Sequence, residues 1–191
     1  MYDKIVDEKI IKKHKLFLPK RFIMEFRKGL DEYGIECCRM YLDKEQYGDT
    51  ITDQSYSTRN YIYHDCFHLA FWVYLKWSPV MRTLYGVQRT PKHHKIIGNV
   101  EDRGRTRIIE ESIIFMVASI KDELLQKGLS KDHFIWNYIQ YHLGELSVGD
   151  KTLGDWNAAI KSGILLMDKL VLNEGGFVVV DQDEEILYYG K

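Results

Sequence analysis

The chain has 191 residues, of which 45% are hydrophobic, 13% aromatic and 29% charged, and its formal net charge is -1. This composition excludes an intrinsically disordered protein, and the balanced charge gives no general reason for binding nucleic acid or an anionic membrane. The many aromatic residues are also compatible with a homodimer interface, in which aromatic side chains are enriched.

The N-terminal residues and the cysteines indicate a cytoplasmic protein. Residues 1–15 are charged from the start and lack the apolar core of a signal peptide. The longest apolar run, from Ile62 to Leu75, is too short and too polar to span a bilayer. Three cysteines, an odd number, favour reduced thiols over a disulfide framework. We therefore predict a cytoplasmic location and no membrane contact.

Apolar residues at helical spacing, with Gly or Pro near the ends, occupy most of the chain. They predict helices over about 19–34, 35–45, 58–76, 79–86, 105–125, 132–146 and 156–171, the last with Asp155 as its N-cap. Residues 46–57 and 87–104 are polar and predict loops, and residues 1–18 predict a short helix or an arm. A glycine pair and a β-branched run predict a small hairpin over 173–191.

These elements predict a mainly α fold, a helical bundle built on two buried apolar helices with a small C-terminal β-hairpin. We expect one domain over 1–191. It would consist of an N-terminal helical extension (1–58), a helical core (59–172) and a short β tail (173–191).

Two of the predicted helices are apolar on all sides and yet carry ionisable residues. These are His64, Asp65 and His68 on the first helix, and Glu110 and Glu111 on the second. A helix that is apolar all round is buried, and burying such groups without partners costs a few kcal/mol or more each. We therefore expect the two helices to face each other, so that their polar side chains satisfy one another.

Histidines and carboxylates on facing helices form divalent-metal or acid–base sites in helical proteins. His64 and His68 are four residues apart and share one helix face, which Asp65 borders. All five residues are therefore candidate ligands of Mg²⁺, Mn²⁺, Fe or Zn²⁺. His64, Asp65 and Glu111 are also the candidate catalytic residues, as acid–base groups or activators of water.

Cationic residues surround the start of the second buried helix. Arg105 and Arg107 lie in its first turn, and Lys92 and His94 lie in the loop before it. A helix N-terminus beside arginines is a natural phosphate site, so these four residues are predicted to bind the phosphate of a small molecule or nucleotide. Alternatively, Arg107 forms a helix salt bridge with Glu111, and the loop cations are solvated.

Three motifs carry a resemblance to a known family. The stretches YHDCFHLAF, WSPVMRTL and EDRGRTRIIEESI resemble the all-α domain found C-terminal to MazG-type nucleotide pyrophosphohydrolase domains in bacterial and phage proteins, over about residues 59–185. The resemblance implies a helical fold, a site at the residues named above and a nucleotide-related context. It does not carry over pyrophosphohydrolase activity, because the chain has no ExxE and ExxD pairs of the MazG metal signature.

Two functions fit these observations. The first is a metal-dependent hydrolase acting on a phosphorylated nucleotide or nucleotide-like small molecule. The second is a non-catalytic nucleotide- or protein-binding module, a regulator or inhibitor in a phage–host context. In the second case the polar cluster is a structural hydrogen-bond network.

Overall fold

The computed structural model describes residues 20–52, 61–84 and 104–190, in which one face of a β-sheet packs against a group of helices. The strands are β1 (Arg21–Leu30), β2 (Glu36–Leu42), β3 (Glu45–Thr52), β4 (Gly175–Asp181) and β5 (Ile186–Gly190). The helices are α1 (Asp65–Ala70), α2 (Pro79–Leu84), α3 (Gly104–Ser119), α4 (Lys121–Lys127), α5 (Phe134–Leu143) and α6 (Leu153–Leu172).

The sheet joins the two ends of the described chain. Its strand order is β3-β2-β1-β4-β5, and all neighbouring strands are antiparallel. The predicted C-terminal hairpin is present as β4 and β5, but it extends a larger sheet because β4 pairs with β1. Strands make up 26% of the interpretable residues and helices 53%. The predicted helical bundle, and the all-α fold that the resemblance implied, are therefore wrong.

The helix predicted over 19–34 is strand β1, because its buried residues alternate. Met24 and Phe26 are buried in the core, whereas Ile23 is 54% exposed and Leu30 is 62% exposed. Ile23 lies on the opposite face from Met24 and Phe26, and together with Leu30 at the exposed end of the strand it completed a helical spacing that concealed the two-residue period.

The next two segments were also assigned wrongly. The helix predicted over 35–45 is β2, whose Cys38, Met40 and Leu42 point into the core. The loop predicted over 46–57 includes most of β3, which forms one edge of the sheet. The N-terminal helical extension is therefore wrong within the described residues. The arm predicted over 1–18 and the loop residues 87–103 lie outside them.

The central helix predicted over 58–76 is present within the described residues, which resume at Tyr61. There it consists of a 3₁₀ turn at Tyr61–Tyr63, then α1, and then a π-helical turn at Phe71–Leu75. Every residue of α1 is buried. It packs closely against α6, since a Cβ on Gly163 would lie 2.4 Å from the Phe67 ring. The prediction that this segment lies inside the core is therefore correct.

The remaining helices differ from the prediction mainly at their ends. The helix predicted over 105–125 is divided at Ile120 into α3 and α4. Thr152, and not Asp155, is the N-cap of α6, and Asp155 completes a capping box from the third helical position. None of the described helices is long and apolar enough to cross a membrane.

Candidate functional site

His68 on α1 and two glutamates on α3 form the centre of a buried polar cluster. His68 Nδ1 donates to Glu110 Oε1 at 2.8 Å, and Nε2 lies 3.1 Å from Glu111 Oε1. His68 and Glu110 are completely buried, whereas the side chain of Glu111 is 41% exposed. The structure therefore brings together the two apolar helices through the polar residues that they carry.

Glu110 faces away from the open side of this cluster. Its Oε1 also accepts a hydrogen bond from Ser78 Oγ at 2.6 Å, and its Oε2 accepts one from the Val80 backbone N–H at 2.9 Å. Both oxygens are thus occupied by groups at the start of α2. A carboxylate that accepts the second N–H of a metal-binding histidine fixes the ring and leaves the other nitrogen for the metal. The contacts of Glu110 favour this orienting role over the metal-ligand role that we predicted.

His64 is oriented in the same way by a backbone group. Its Nδ1 lies 2.9 Å from the Tyr61 carbonyl oxygen. A carbonyl can only accept, so we infer that Nδ1 carries the proton and that Nε2 presents its lone pair. The Tyr61 ring stacks on the imidazole with centroids 4.3 Å apart. Both histidines therefore have their Nδ1 atoms engaged and direct their Nε2 atoms toward carboxylates of the cluster.

The two Nε2 atoms and two carboxylates converge on one place. His64 Nε2 lies 3.5 Å from Asp65 Oδ1 and 3.6 Å from Glu111 Oε2, and His68 Nε2 lies 3.7 Å from Asp65 Oδ1. Ligand atoms of His64, His68 and Glu111 all lie within 4.8 Å of one another. Two ligands held at about 2.1 Å from one tetrahedral ion are about 3.4 Å apart. The Nε2–carboxylate distances of 3.5, 3.6 and 3.7 Å are close to this value, whereas the 4.8 Å limit that encloses His64, His68 and Glu111 is wider than it.

The charges in the cluster are unbalanced. It contains three carboxylates, and within the described residues none of them pairs with a lysine or arginine. Burial disfavours a charged His68, but attraction and hydrogen bonds to Glu110 and Glu111 outweigh it and raise the pKa of His68 well above its usual value. Burial likewise opposes a charged Glu111, yet His68 and His64 lower the pKa of this carboxyl. Three carboxyl groups beside two histidines are a donor set of the kind that binds divalent cations in proteins.

A cavity of about 700 Å³ lies beside the cluster. Glu111 belongs to both, because its half-exposed side chain forms part of the cavity wall. The other walls come from β3, from α2, from α3 and from Tyr61. This volume is in the range of about 300–1,000 Å³ that small-molecule sites have. The cluster is therefore accessible from a space that could hold a ligand.

Arg107 places a positive charge in this cavity. It lies in the first turn of α3, close to Gly104, and its buried Nε has no hydrogen-bond partner among the described residues. The alternative i,i+4 salt bridge with Glu111 is not formed. An unpaired guanidinium at a helix N-terminus is suited to an anionic ligand.

The other predicted phosphate-binding residues are placed differently or lie outside the described chain. Arg105 is exposed and is not among the residues that line the cavity. Lys92 and His94 lie outside the described residues. Of the four predicted cations, the structure brings Arg107 to the site.

The sequence did not identify three residues that shape the site. The Ser78 hydroxyl accepts a hydrogen bond from the Met81 backbone N–H in the first turn of α2 and donates one to Glu110. Tyr61 orients His64 from three residues upstream, a helical spacing that could have indicated the contact. Asp49 lines the cavity from β3, in a stretch that we assigned to a loop, and no local signal marked it.

Comparisons with known proteins gave one match. A sequence model of the family described as the MazG C-terminal domain matches residues 2–191. The match is longer than the resemblance over 59–185 and includes the strands at both ends. Neither a search of curated proteins nor a search of solved structures returned a match.

Proposed function

The chain belongs to the MazG C-terminal domain family, which is related to nucleotide pyrophosphohydrolases, and on that premise we propose a function for it. We propose that it is a metal-dependent hydrolase acting on a phosphorylated nucleotide or nucleotide-like small molecule. The observation that carries this proposal is the convergence of two histidine Nε2 atoms and two carboxylates beside a cavity with an unpaired arginine.

The residues present fit a divalent cation. His64, His68 and Glu111 would hold it, with Asp65 as the fourth donor. Two imidazole nitrogens favour Mn²⁺ or Zn²⁺ over Mg²⁺, which prefers oxygen ligands. When bound, such an ion would supply Lewis-acid activation of a phosphoryl oxygen and of water.

The chain's own residues would bind and orient the substrate. Arg107 would hold the phosphate by charge-assisted hydrogen bonds at the first turn of α3. Glu111 lies at the boundary between cluster and cavity, and its lowered pKa keeps it ionised at neutral pH. It would either complete the ligand set or accept a proton from the attacking water. Glu110 would keep His68 in the required orientation.

The proposal is tested by nucleotide turnover. The purified protein is incubated with a panel of nucleoside mono-, di- and triphosphates, with Mn²⁺, Mg²⁺, Zn²⁺ or EDTA. We expect hydrolysis with a metal and none with EDTA, and we expect His64→Ala and Glu111→Gln to abolish it while circular dichroism stays unchanged. His142→Ala and Glu123→Gln are the matched controls, because both residues lie outside the cluster and the cavity. No turnover with any nucleotide and metal would contradict the proposal.

A second function is favoured by one specific observation. The bonds from Glu110 to His68, Ser78 and Val80 connect three helices, as a purely structural network would. A non-catalytic nucleotide- or protein-binding module would need no more than this. In that case His64→Ala would chiefly lower the melting temperature, with no effect of metals on ligand binding.

A further inference from the structure

The cavity beside the cluster has one acidic wall that the proposed function does not use. Asp49 on β3 is exposed like Glu45 on the same strand, but it also lines the cavity, and its carboxylate has no hydrogen bond or ion pair with any residue that the structure describes. We propose that Asp49 is a specificity-determining residue, which accepts a hydrogen bond from a hydroxyl or amino group of the ligand and rejects ligands that carry negative charge at that wall. This inference rests on the proposed function, because it concerns the ligand of the same cavity.

The backbone around Asp49 is built to bring it to the cavity. The preceding residue, Gly48, has a φ of 73°, which is a conformation that favours glycine. A Cβ at Gly48 would lie 3.2 Å from Leu84 Cδ2, so the missing side chain lets β3 approach α2 closely. Leu84 and Asp49 both line the cavity. The local sequence therefore positions the carboxylate as well as supplying it.

The polar groups of the walls are mostly hydrogen-bond acceptors. Thr83 and Ser112 each donate their hydroxyl proton to a carbonyl oxygen of their own helix. Among the described lining residues, this leaves Arg107 and Tyr61 with a side-chain proton to donate, while Asp49 and Glu111 are carboxylates that accept.

This distribution defines the kind of ligand that fits. The ligand's negative charge must lie near Arg107, which is the cationic side chain among the described lining residues, and its hydroxyl or amino groups must face Asp49. A nucleoside monophosphate meets both conditions, because its charge is at one end and its sugar and base carry donors. Tyr61 and Phe115, whose rings meet edge to face, both line the cavity and offer apolar surface for such a body. A linear polyphosphate meets neither, since it has no amino or sugar hydroxyl group to donate to Asp49 and part of its charge would lie beside this carboxylate.

The test is equilibrium binding without divalent metal, measured by titration calorimetry in EDTA. The probes are the nucleoside 5′-monophosphates and inorganic tripolyphosphate. The proteins are the wild type, Asp49→Asn and, as a matched control, Glu45→Gln. Glu45 is an exposed acid on the same strand and is not among the cavity residues. The control separates a local effect of Asp49 from the general effect of removing one negative charge.

We expect the wild type and Glu45→Gln to bind at least one nucleoside monophosphate about tenfold or more tightly than tripolyphosphate, and Asp49→Asn to reduce that ratio about tenfold. Equal ratios in all three proteins, or no binding of any monophosphate, would overturn the assignment. Binding and turnover are separate measurements. If the ratio of the affinities for monophosphate and tripolyphosphate depends on Asp49 but no nucleotide is hydrolysed, only the proposed function is contradicted. If nucleotides are hydrolysed but this ratio is the same in Asp49→Asn, only the role of Asp49 is contradicted.

Discussion

Glu110 is the most deeply buried of the acidic residues in the cluster. It is completely buried, and its two oxygens accept hydrogen bonds from His68, Ser78 and the Val80 backbone. Removing it leaves three donors without an acceptor, and for the two that are fully buried, on His68 and Ser78, each loss costs about 1–3 kcal/mol.

We therefore predict that Glu110→Ala lowers the free energy of unfolding by roughly 3–5 kcal/mol, as for other broken buried ionic networks. Urea unfolding of the metal-free protein measures this. The exposed Glu123→Ala should change it by no more than about 0.5 kcal/mol. Equal effects of the two substitutions would show that Glu110 does not hold α2 and α3 together.

Arg105 and Arg107 provide a matched pair on one helix. Arg107 lines the cavity with a buried, unpaired Nε, whereas Arg105 is exposed. We predict that Arg107→Gln weakens binding of a nucleoside monophosphate about tenfold or more, since hydrogen bonds to charged groups contribute about 1.5–3 kcal/mol. Arg105→Gln should have a much smaller effect. Metal affinity should be unchanged in both, because neither residue contacts the cluster. Titration calorimetry of the two variants measures their affinities for the nucleoside monophosphate and for the metal. A larger loss of nucleotide affinity in Arg105→Gln than in Arg107→Gln would contradict the assignment.

The three cysteines should be unreactive in the folded protein. Cys37, Cys38 and Cys66 are free and buried. Burial raises the pKa of Cys38 from 9.0 to about 12, mainly because the thiolate is desolvated, and it raises the pKa of Cys66 as well.

A higher pKa means less thiolate, so at pH 8 the Cys38 thiolate fraction is about a thousandfold below that of an ordinary thiol. We predict negligible reaction with a thiol reagent at pH 8 in buffer, and three reactive thiols per chain in denaturant. Rapid labelling of the native protein would contradict the buried positions.

At the scale of elements, the sequence predicted the buried helices better than the sheet. The segment with His64 and His68 is apolar on all sides, and only burial explains such a pattern. β1 gave a misleading pattern, because Ile23 on its exposed face and Leu30 at its exposed end complete a helical spacing with Phe26. The pairing of β1 with β4 joins residues about 150 positions apart, such as Phe26 and Gly176. No local pattern encodes that contact.

The strand assignment of β1 predicts opposite outcomes for two adjacent residues. Met24 is completely buried, and Ile23 is 54% exposed. Met24→Ala should lower the free energy of unfolding by about 2–5 kcal/mol, as for other buried large-to-small changes. Ile23→Ala should cost well under half as much. Urea unfolding of both variants measures the difference, and similar losses would argue against a strand with one buried face.

At the scale of the molecule, the sheet and the site are formed by different segments of the chain. The sheet is made from both ends, and the cluster is made from the segments between them. The sequence predicted that His64, His68 and Glu111 would meet, because each sits on a helix too apolar to be exposed. It did not separate the orienting role of Glu110 from the role of a ligand. Asp49 reaches the cavity through the close packing of β3 on α2, which depends on the tertiary structure.

The central claim is that these side chains form a metal centre, and metal binding tests it most directly. The metal-free protein is titrated with Mn²⁺ and Zn²⁺ in a calorimeter, and crystals of the complex are measured by anomalous scattering. We predict one ion per chain, with an anomalous peak between His64 Nε2, His68 Nε2 and the carboxylates of Asp65 and Glu111, and loss of binding in His64→Ala. No binding of either metal, or a peak away from these four residues, would contradict the account.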